Sequence, residues 1–239
     1  MNRVAMNVVD RGTRRASRVA ASKASKRSAT KDFLINVGEE LLGRHGFDGI
    51  SLREIARKAG QANNAAVHYH FRDKEGLIKA ILEDRVAKIE ALRRDSIGRL
   101  SSGERKDPRE LMKILWLPSM AITSPDGSHT YCRFLLQYML HPGTALHPAA
   151  QIAVGAGRLK VESANAVSSL LATVELLLAQ CKHLSAAIFY RRLSVLSMMF
   201  LSAVVEHDNI RRTDRNRAAA AFDADRILDM AMAALSAPD

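Results

Sequence analysis

The sequence predicts an all-α protein with a small N-terminal and a larger C-terminal helical domain. In most of the chain, apolar residues recur at spacings of three and four, the period of an amphipathic helix. Capping residues, prolines and glycines stand where those patterns begin and end. No stretch alternates apolar and polar residues for long enough to predict a strand. With 239 residues, 47% of them hydrophobic, the chain is large enough to bury a core.

The first helix is predicted from its cap and its apolar face. Thr30 is expected to cap it, and Gly46 follows its last turn. Its apolar face consists of Leu34, Val37, Leu41 and Leu42. Phe47 and Ile50 come next and are expected to fill a three-helix core.

Two short helices follow, joined by a turn. Ser51 and Glu54 form a capping-box pair that opens the first, and Gly60 ends it. Its apolar face is Leu52, Ile55, Ala56 and Ala59. After a turn at residues 61–62, the outward residues of the second short helix are Asn63, Asn64, His68 and Tyr69. Amide, imidazole and phenol groups suit a DNA major groove better than a core, so the pair predicts a helix-turn-helix.

From Thr30 to about Ile89 the sequence resembles the DNA-binding domain of the tetracycline-repressor (TetR) family. Gly60 to Phe71 is one residue longer than the commonest family pattern, and His68-Tyr69 stands where the family often has Tyr and a variable residue. The matching elements, in order, are Gly46-Phe47, Ser51-Leu52-Arg53-Glu54-Ile55-Ala56, Ala59-Gly60, His70-Phe71 and Lys74-Glu75-Gly76-Leu77-Ile78. The resemblance implies a DNA-binding domain over residues 30–78.

The residues expected to face DNA divide into two groups. Ser51 and Lys74 stand near helix N-termini and suit phosphate contacts. Asn63, Asn64 and Tyr69 suit base edges, although either asparagine could instead be the N-cap of its helix. Ala65 could meet a thymine methyl, and His70 could either support the core or contact phosphate. The full predicted set is Ser51, Arg53, Asn63, Asn64, Ala65, His68, Tyr69, His70 and Lys74.

Asp73 is predicted to cap a long helix over residues 73–96 that joins the two domains. Its apolar stripe is Leu77, Ile78, Ile81, Leu82, Val86, Ile89 and Leu92. The second domain, residues 97–239, then begins with a helix at Asp107-Pro108 that Pro118 ends or kinks. Its further helices are expected over about 128–140, after Pro148, over 161–182, over 185–208 and over 222–235, with a loop over 211–215.

The second domain is expected to dimerise and to bind a ligand. By the family resemblance, residues 185–208 and 222–236 would form the dimer interface through Leu193, Leu196, Phe200, Val204, Ile227, Leu228, Ala231 and Leu235. The alternative is that they are ordinary intramolecular core. Bulky, aromatic and polar side chains could line a small-molecule pocket or belong to a plain core: Trp116, Met120, Tyr131, Phe134, Gln137, Tyr138, Met139, His141, Cys181 and Phe189.

The net charge of +11 is concentrated at the N-terminus, where residues 1–31 contain nine Lys or Arg and one acid. Residues 1–29 are therefore expected to be a basic, disordered tail. An organelle transit peptide has a similar composition, and a later start at Met6 is an alternative.

Cys132 and Cys181 are expected to be reduced, buried thiols of a cytoplasmic protein, rather than a redox switch.

Other classes of function lack support in the sequence. His68 and His70, two residues apart on a helix, point in different directions, so no metal site is expected. There is no Gly-rich phosphate loop, nucleophile elbow or HExxH segment, so no catalytic residue and no cofactor is expected. No run of about eighteen apolar residues predicts a membrane span.

The sequence therefore predicts a homodimeric transcriptional regulator that binds a near-palindromic operator in double-stranded DNA. We expect a repressor that a small apolar or amphipathic effector releases. One alternative is a helix-turn-helix regulator without an inducer, constitutive or controlled by a protein partner. A third interpretation is an all-α enzyme, which operator footprinting would separate from the first two.

Overall fold

A computed structural model describes residues 28–60, 65–141, 168–213 and 222–238 of the chain, and over these ranges its regular structure is entirely helical. The all-α prediction is confirmed. The helices are α1 (residues 28–45), α2 (Leu52–Lys58), α3 (Ala65–Phe71), α4 (Lys74–Arg99), α5 (Pro108–Trp116), α6 (Thr130–Leu140), α7 (Ser168–Gln180), α8 (Ala186–Thr213) and α9 (Ala224–Ser236). Single 3-10 turns cover Glu104–Lys106 and Leu117–Ala121.

The first core is formed by α1, α2, α3 and the first half of α4. Its centre includes Leu34, Ile55, Val67 and Leu77, none of them measurably exposed. Phe47 fills this core as predicted, and its ring lies 5.5 Å from that of Phe134 in α6. A side chain of the second half of the protein thus completes the core of the N-terminal domain.

Two glycines shape the turns that join α2, α3 and α4. Gly60 follows α2 with φ +67°, a conformation that side chains disfavour. Gly76, in the first turn of α4, lies so close to the Phe71 carbonyl that a Cβ would stand 1.9 Å from its oxygen. Asp73 caps α4 by accepting from the Gly76 N–H at 2.7 Å. The angle between α3 and α4 therefore depends on glycine at position 76.

Helix α4 has 26 residues, about 39 Å at 1.5 Å per residue, and contributes to both cores. The predicted apolar stripe is correct up to Ile89 and wrong at Leu92, which is 41% exposed. Beyond Ile89 the buried positions are instead Glu90 and Arg93. Polar contacts therefore join α4 to the C-terminal domain where an apolar stripe was predicted.

The second core lies among α5, α7, α8 and α9, with residues of α6 at its edge. The Trp116 ring stacks on Phe200 with 4.9 Å between centroids, and its Nε1 donates to the Ser197 hydroxyl at 3.1 Å. Both cysteines are free and buried. Burial raises the pKa of the Cys132 thiol to about 12, although a hydrogen bond with Ser119 opposes this.

Several predicted boundaries need correction. Thr30 does not cap α1, because the helix already includes residue 28. Arg211 to Thr213 belong to the last turn of α8 and not to a loop. The polar residues there suggested a loop, but a polar solvent-facing turn is equally compatible with a helix end. The helix predicted after Pro148 and residues 161–167 lie outside the described ranges.

Helix α8 is long and apolar enough to cross a membrane by length and composition. Core helices of soluble proteins pass the same test, and 44% of its most apolar window is buried inside the protein. Its Phe189, Leu193, Phe200 and Val204 side chains are fully or almost fully buried in the second core. The helix therefore acts as a core element here.

Candidate functional site

The candidate site is the surface formed by α2, α3 and the start of α4. The predicted capping box is present: Glu54 accepts from the Ser51 N–H at 2.9 Å and from the Ser51 hydroxyl at 2.7 Å, while the Glu54 N–H donates to that hydroxyl at 3.2 Å. These Ser51 hydrogen bonds lower the pKa of Glu54. Ser51 and Arg53 are exposed at the N-terminal end of α2.

Helix α3 has one buried and one exposed face. Val67 and Phe71 are buried in the first core at 0% and 5% exposure. Ala65, His68 and Tyr69 are exposed, while His70 is half-buried with its ring edge-on to Tyr69 at 5.2 Å. The Tyr69 side chain is 62% exposed. Asn63 and Asn64, the predicted readers at the start of α3, lie outside the described ranges.

His68 is held by the backbone that follows α3. Its Nδ1 lies 2.7 Å from the carbonyl oxygen of Arg72, and the Arg72 N–H donates to the His68 carbonyl at 2.9 Å. Because a carbonyl oxygen only accepts, Nδ1 carries the hydrogen. With the hydrogen on Nδ1, a neutral His68 ring would offer Nε2 as an acceptor for an amino group at the edge of adenine or cytosine.

Lys74 lies half-buried at the start of α4, and its ammonium donates to the carbonyl of Phe47. This contact ties α4 to the segment after α1. An ammonium has three donors, so a phosphate contact is compatible with this bond. The residue predicted only as a phosphate anchor thus also has a structural partner.

Three cations near this surface were missing from the predicted set. Arg57 and Lys58 are exposed in the last turn of α2, and Arg72 is exposed just after α3. The sequence signal for them was charge beside a recognition helix, but such residues also occur on any solvated helix face. Exposure alone does not distinguish them, because Arg99 is also exposed and pairs with Asp95.

The predicted ligand residues divide between the two cores. Tyr131, Phe134 and Tyr138 of α6 pack on the first core beside Phe47. His141 also approaches the Phe47 ring, at 5.3 Å. The structure therefore does not bring the whole set together. The members that share the second core are Trp116, Met120, Met139, Cys181 and Phe189.

The predicted dimer residues also need correction, because the chain buries them in its own second core. Of the eight, only Ile227 is more than 9% exposed; the buried ones are Leu193, Leu196, Phe200, Val204, Leu228, Ala231 and Leu235. The exposed large apolar side chains on the same two helices are Val195, at 55%, and Met230, at 52%. An intermolecular contact through α8 and α9 would therefore use the opposite faces of these helices.

Two neighbouring sets of buried polar contacts join α1 and α4 to α6, and α6 to α8. The Glu39 carboxylate of α1 accepts from Arg85 Nε of α4 at 2.6 Å and from the Thr130 hydroxyl of α6 at 2.5 Å. At the preceding residue, the backbone N–H and Nδ1 of His129 both contact the Asp208 carboxylate of α8, at 2.6 and 2.9 Å. Sequence reasoning missed these contacts because the partners are far apart in the chain.

In the described part of the chain, no three His, Cys, Asp or Glu side chains lie close enough together to hold a metal ion.

Residues 34–81 match the model of a family described as bacterial regulatory proteins, tetR family. This range begins in α1 and ends in the second turn of α4, so it contains α2 and α3 entirely. The predicted resemblance is confirmed. No curated protein sequence matches the chain.

Two solved structures are similar to this chain. One is a gamma-butyrolactone receptor, an ArpA-like protein, 21% identical over 87% of this chain and 97% of that one, with a TM-score of 0.47. The other is a TetR-family transcriptional regulator from Pectobacterium atrosepticum, 17% identical over 88% and 92%, with a TM-score of 0.42.

Proposed function

Since this chain carries the DNA-binding domain of the TetR family of bacterial regulatory proteins, we propose that it is a homodimeric repressor, released from its operator by a small molecule. The observation that carries the proposal is the exposed face of α3. The buried side chains of Val67 and Phe71 anchor that helix in the first core, while His68 and Tyr69 are exposed to solvent. Such a face can enter a major groove without disturbing the fold.

Dimerisation is supported by the outward faces of α8 and α9. Val195 and Met230 leave more than half of their surface open, and the apolar Met198 and Met199 next to Val195 are only partly buried. A pair of such faces could bury this apolar surface between two copies. A dimer would present two α3 helices to a near-palindromic operator, with half-sites about 34–36 Å apart.

Control by a ligand is supported by the contacts of α4. Its first half is tied to α1 through Arg85 and Glu39. Its second half is tied to α5, where Arg93 donates to the carbonyls of Ile114 and Leu115 at 3.3 and 3.2 Å. A displacement of the C-terminal helices would therefore reach α1 through one rigid element and change the spacing of the recognition helices.

The proposed effector is a small apolar or amphipathic compound that enters the second core. Trp116, Met120, Cys181 and Phe189 supply apolar walls there, and buried hydroxyls such as Ser197 supply polar contacts. We propose a cytoplasmic protein without a catalytic role, in which the effector acts only by its different affinity for the two conformations.

A regulator without an inducer is the second candidate. The observation in its favour is the division of the predicted ligand residues between two cores, with Tyr131 and Phe134 committed to packing under α1. A protein partner or constitutive binding would then set DNA occupancy.

The test begins with selection of bound sequences from a random duplex library, using the full chain. Operator affinity is then measured against a panel of apolar compounds, with the mass of the complex monitored by light scattering. We expect at least one compound to weaken operator binding while the dimer persists, and Cys181→Trp to mimic or block that response. If the selection enriches no sequence, the DNA-binding proposal is contradicted. An enriched operator that no compound affects would favour the inducer-free regulator.

A further inference from the structure

The residue that follows the recognition helix has an unusual backbone. Among the described residues four have positive φ; three are glycines, at positions 46, 60 and 127, and the fourth is Arg72 at +67°. The left-handed region is disfavoured for a residue with a Cβ, and glycine is the usual residue at the C-terminal end of a helix. In the described part of the chain glycine occupies each of the other left-handed positions, so the arginine at position 72 is the exception.

The backbone of Arg72 is fixed from both sides. Its N–H donates to the His68 carbonyl and its own carbonyl accepts from His68 Nδ1, at 2.9 and 2.7 Å. The next residue, Asp73, uses its carboxylate to cap α4 through the Gly76 N–H. The Arg72 side chain therefore leaves the protein from a defined point between α3 and α4.

The guanidinium itself has no partner within the described part of the chain. Arg72 is exposed, and no carboxylate or carbonyl there accepts a hydrogen bond from its side chain. Lys74, two residues later, contrasts with it because its ammonium donates to the Phe47 carbonyl. An exposed cation at the end of a recognition helix, with no ion pair to any described residue, is suited to an external anion.

We propose that Arg72 contacts a DNA phosphate at the end of α3 and that the chain keeps arginine in a left-handed conformation for this contact. The inference rests on the proposed DNA-binding function. A guanidinium can bind a phosphate through two parallel N–H groups. The contact fixes the position of α3 on the duplex, without reading its sequence, while Tyr69 and its neighbours meet the base edges.

The proposal separates stability from DNA affinity, and two substitutions test that separation. Arg72→Gly and Arg72→Ala both remove the guanidinium, but only glycine adopts the left-handed conformation readily. Both variants should lose the same affinity for a random-sequence duplex, and the slope of log K against log salt should fall by about 0.9 for one lost phosphate contact. Arg72→Ala should unfold at a lower urea concentration than Arg72→Gly.

Arg94→Ala is the matched control, since it removes an exposed arginine from α4 outside the proposed DNA surface. Its salt slope should equal that of the wild type. Arg72→Lys should keep most of the slope because it keeps the charge. The proposal is wrong if Arg72→Gly binds the duplex like the wild type, or if the affinities of the two variants follow their stabilities. A wild-type chain that binds no duplex would refute the DNA-binding function as well.

Discussion

The Nε of Arg85 donates to Oε2 of Glu39 across 2.6 Å, with the two side chains 9% and 1% exposed. The other oxygen of the same carboxylate accepts from Thr130 at 2.5 Å, and Arg85 also donates to Asn36. Helices α1, α4 and α6 thus meet at one buried carboxylate. The position of the DNA-binding helices relative to the second domain depends on that charge.

The first prediction follows from this pair. Glu39→Gln removes the buried partner of Arg85 and leaves its guanidinium only the partly exposed carboxylate of Asp84 as a counter-charge, so the free energy of unfolding should fall by about 3 kcal/mol. Urea denaturation of the full chain measures the change. Glu83→Gln is the control, because Glu83 forms an exposed ion pair with Lys79 and should cost less than about 1 kcal/mol. Equal losses would show that the buried pair adds no more stability than the exposed one.

A second prediction separates base reading from phosphate contact at the DNA surface. Tyr69→Ala should weaken operator binding by about 1–3 kcal/mol and random DNA much less, without altering stability, because the side chain is 62% exposed. Lys74→Ala should weaken both DNAs to a similar extent and reduce the salt dependence. It should also destabilise the protein, since the Phe47 carbonyl loses its donor. Equal effects of Tyr69→Ala on the two DNAs would remove its role as a reader.

The extent of successful prediction differs between the two domains for a physical reason. Helix α2 was predictable because its signals are local: Ser51 and Glu54 are three residues apart, and Gly60 ends the helix. The exposed face of α3 was predicted from the same kind of local sequence pattern. The pairing of Arg85 with Glu39 joins residues 46 positions apart, and no sequence pattern distinguishes such charges from solvated ones.

The apolar helices of the second domain present a different difficulty. Helix α8 carries apolar residues on most of its circumference, so periodicity cannot indicate which stripe faces the chain's own core. Leu193 and Val195 are both apolar, yet one is fully buried and the other 55% exposed. The aromatic residues of α6 were similarly ambiguous, and Phe134 packs with Phe47 of the N-terminal domain.

A third prediction concerns those outward faces. Val195→Glu or Met230→Glu places a charge on exposed apolar surface and should convert a dimer to monomers, while the isolated chain stays folded. Lys182→Glu, at an exposed position between α7 and α8, controls for the added negative charge. Sedimentation velocity measures the mass and circular dichroism the helical content. A dimer that persists in both variants would exclude this face as the interface.

The fourth prediction is a pH dependence at the junction of α6 and α8. Burial raises the pKa of Asp208, but the hydrogen bonds from His129 and the charges of His129 and Arg133 together lower it by more, so the net shift is downward. The resulting stabilisation is complete above the unfolded pKa of about 3.9 and is lost as the pH falls through the lower folded-state value. Below about pH 4 the wild type should therefore lose stability more steeply than Asp208→Asn. Parallel urea midpoints for the two proteins between pH 5 and 2.5 would contradict this.

A fifth prediction concerns residues 1–27, which lie outside the described ranges. Deleting them should leave folding and dimerisation intact and should lower DNA affinity most strongly at low salt, because much of the chain's positive charge is there. Fluorescence anisotropy at two salt concentrations measures this. Unchanged affinity at low salt would make the segment dispensable for DNA binding.

The charges in the second half of α4 restrict how that helix can move. Arg93 donates to carbonyls in the last turn of α5, and Glu90 accepts from the Ser169 N–H of α7 at 2.9 Å, so each charge meets the end of a neighbouring helix. If α4 turned about its own axis, the ion pair that Glu90 and Arg93 form with each other would turn with it, but both side chains would lose these partners on α5 and α7. Each buried polar group left unsatisfied would cost about 1–3 kcal/mol. Tilting α4 together with α5 and α7 keeps these contacts with α5 and α7. The contacts of Glu90 and Arg93 therefore favour a tilt of α4 over a rotation about its own axis.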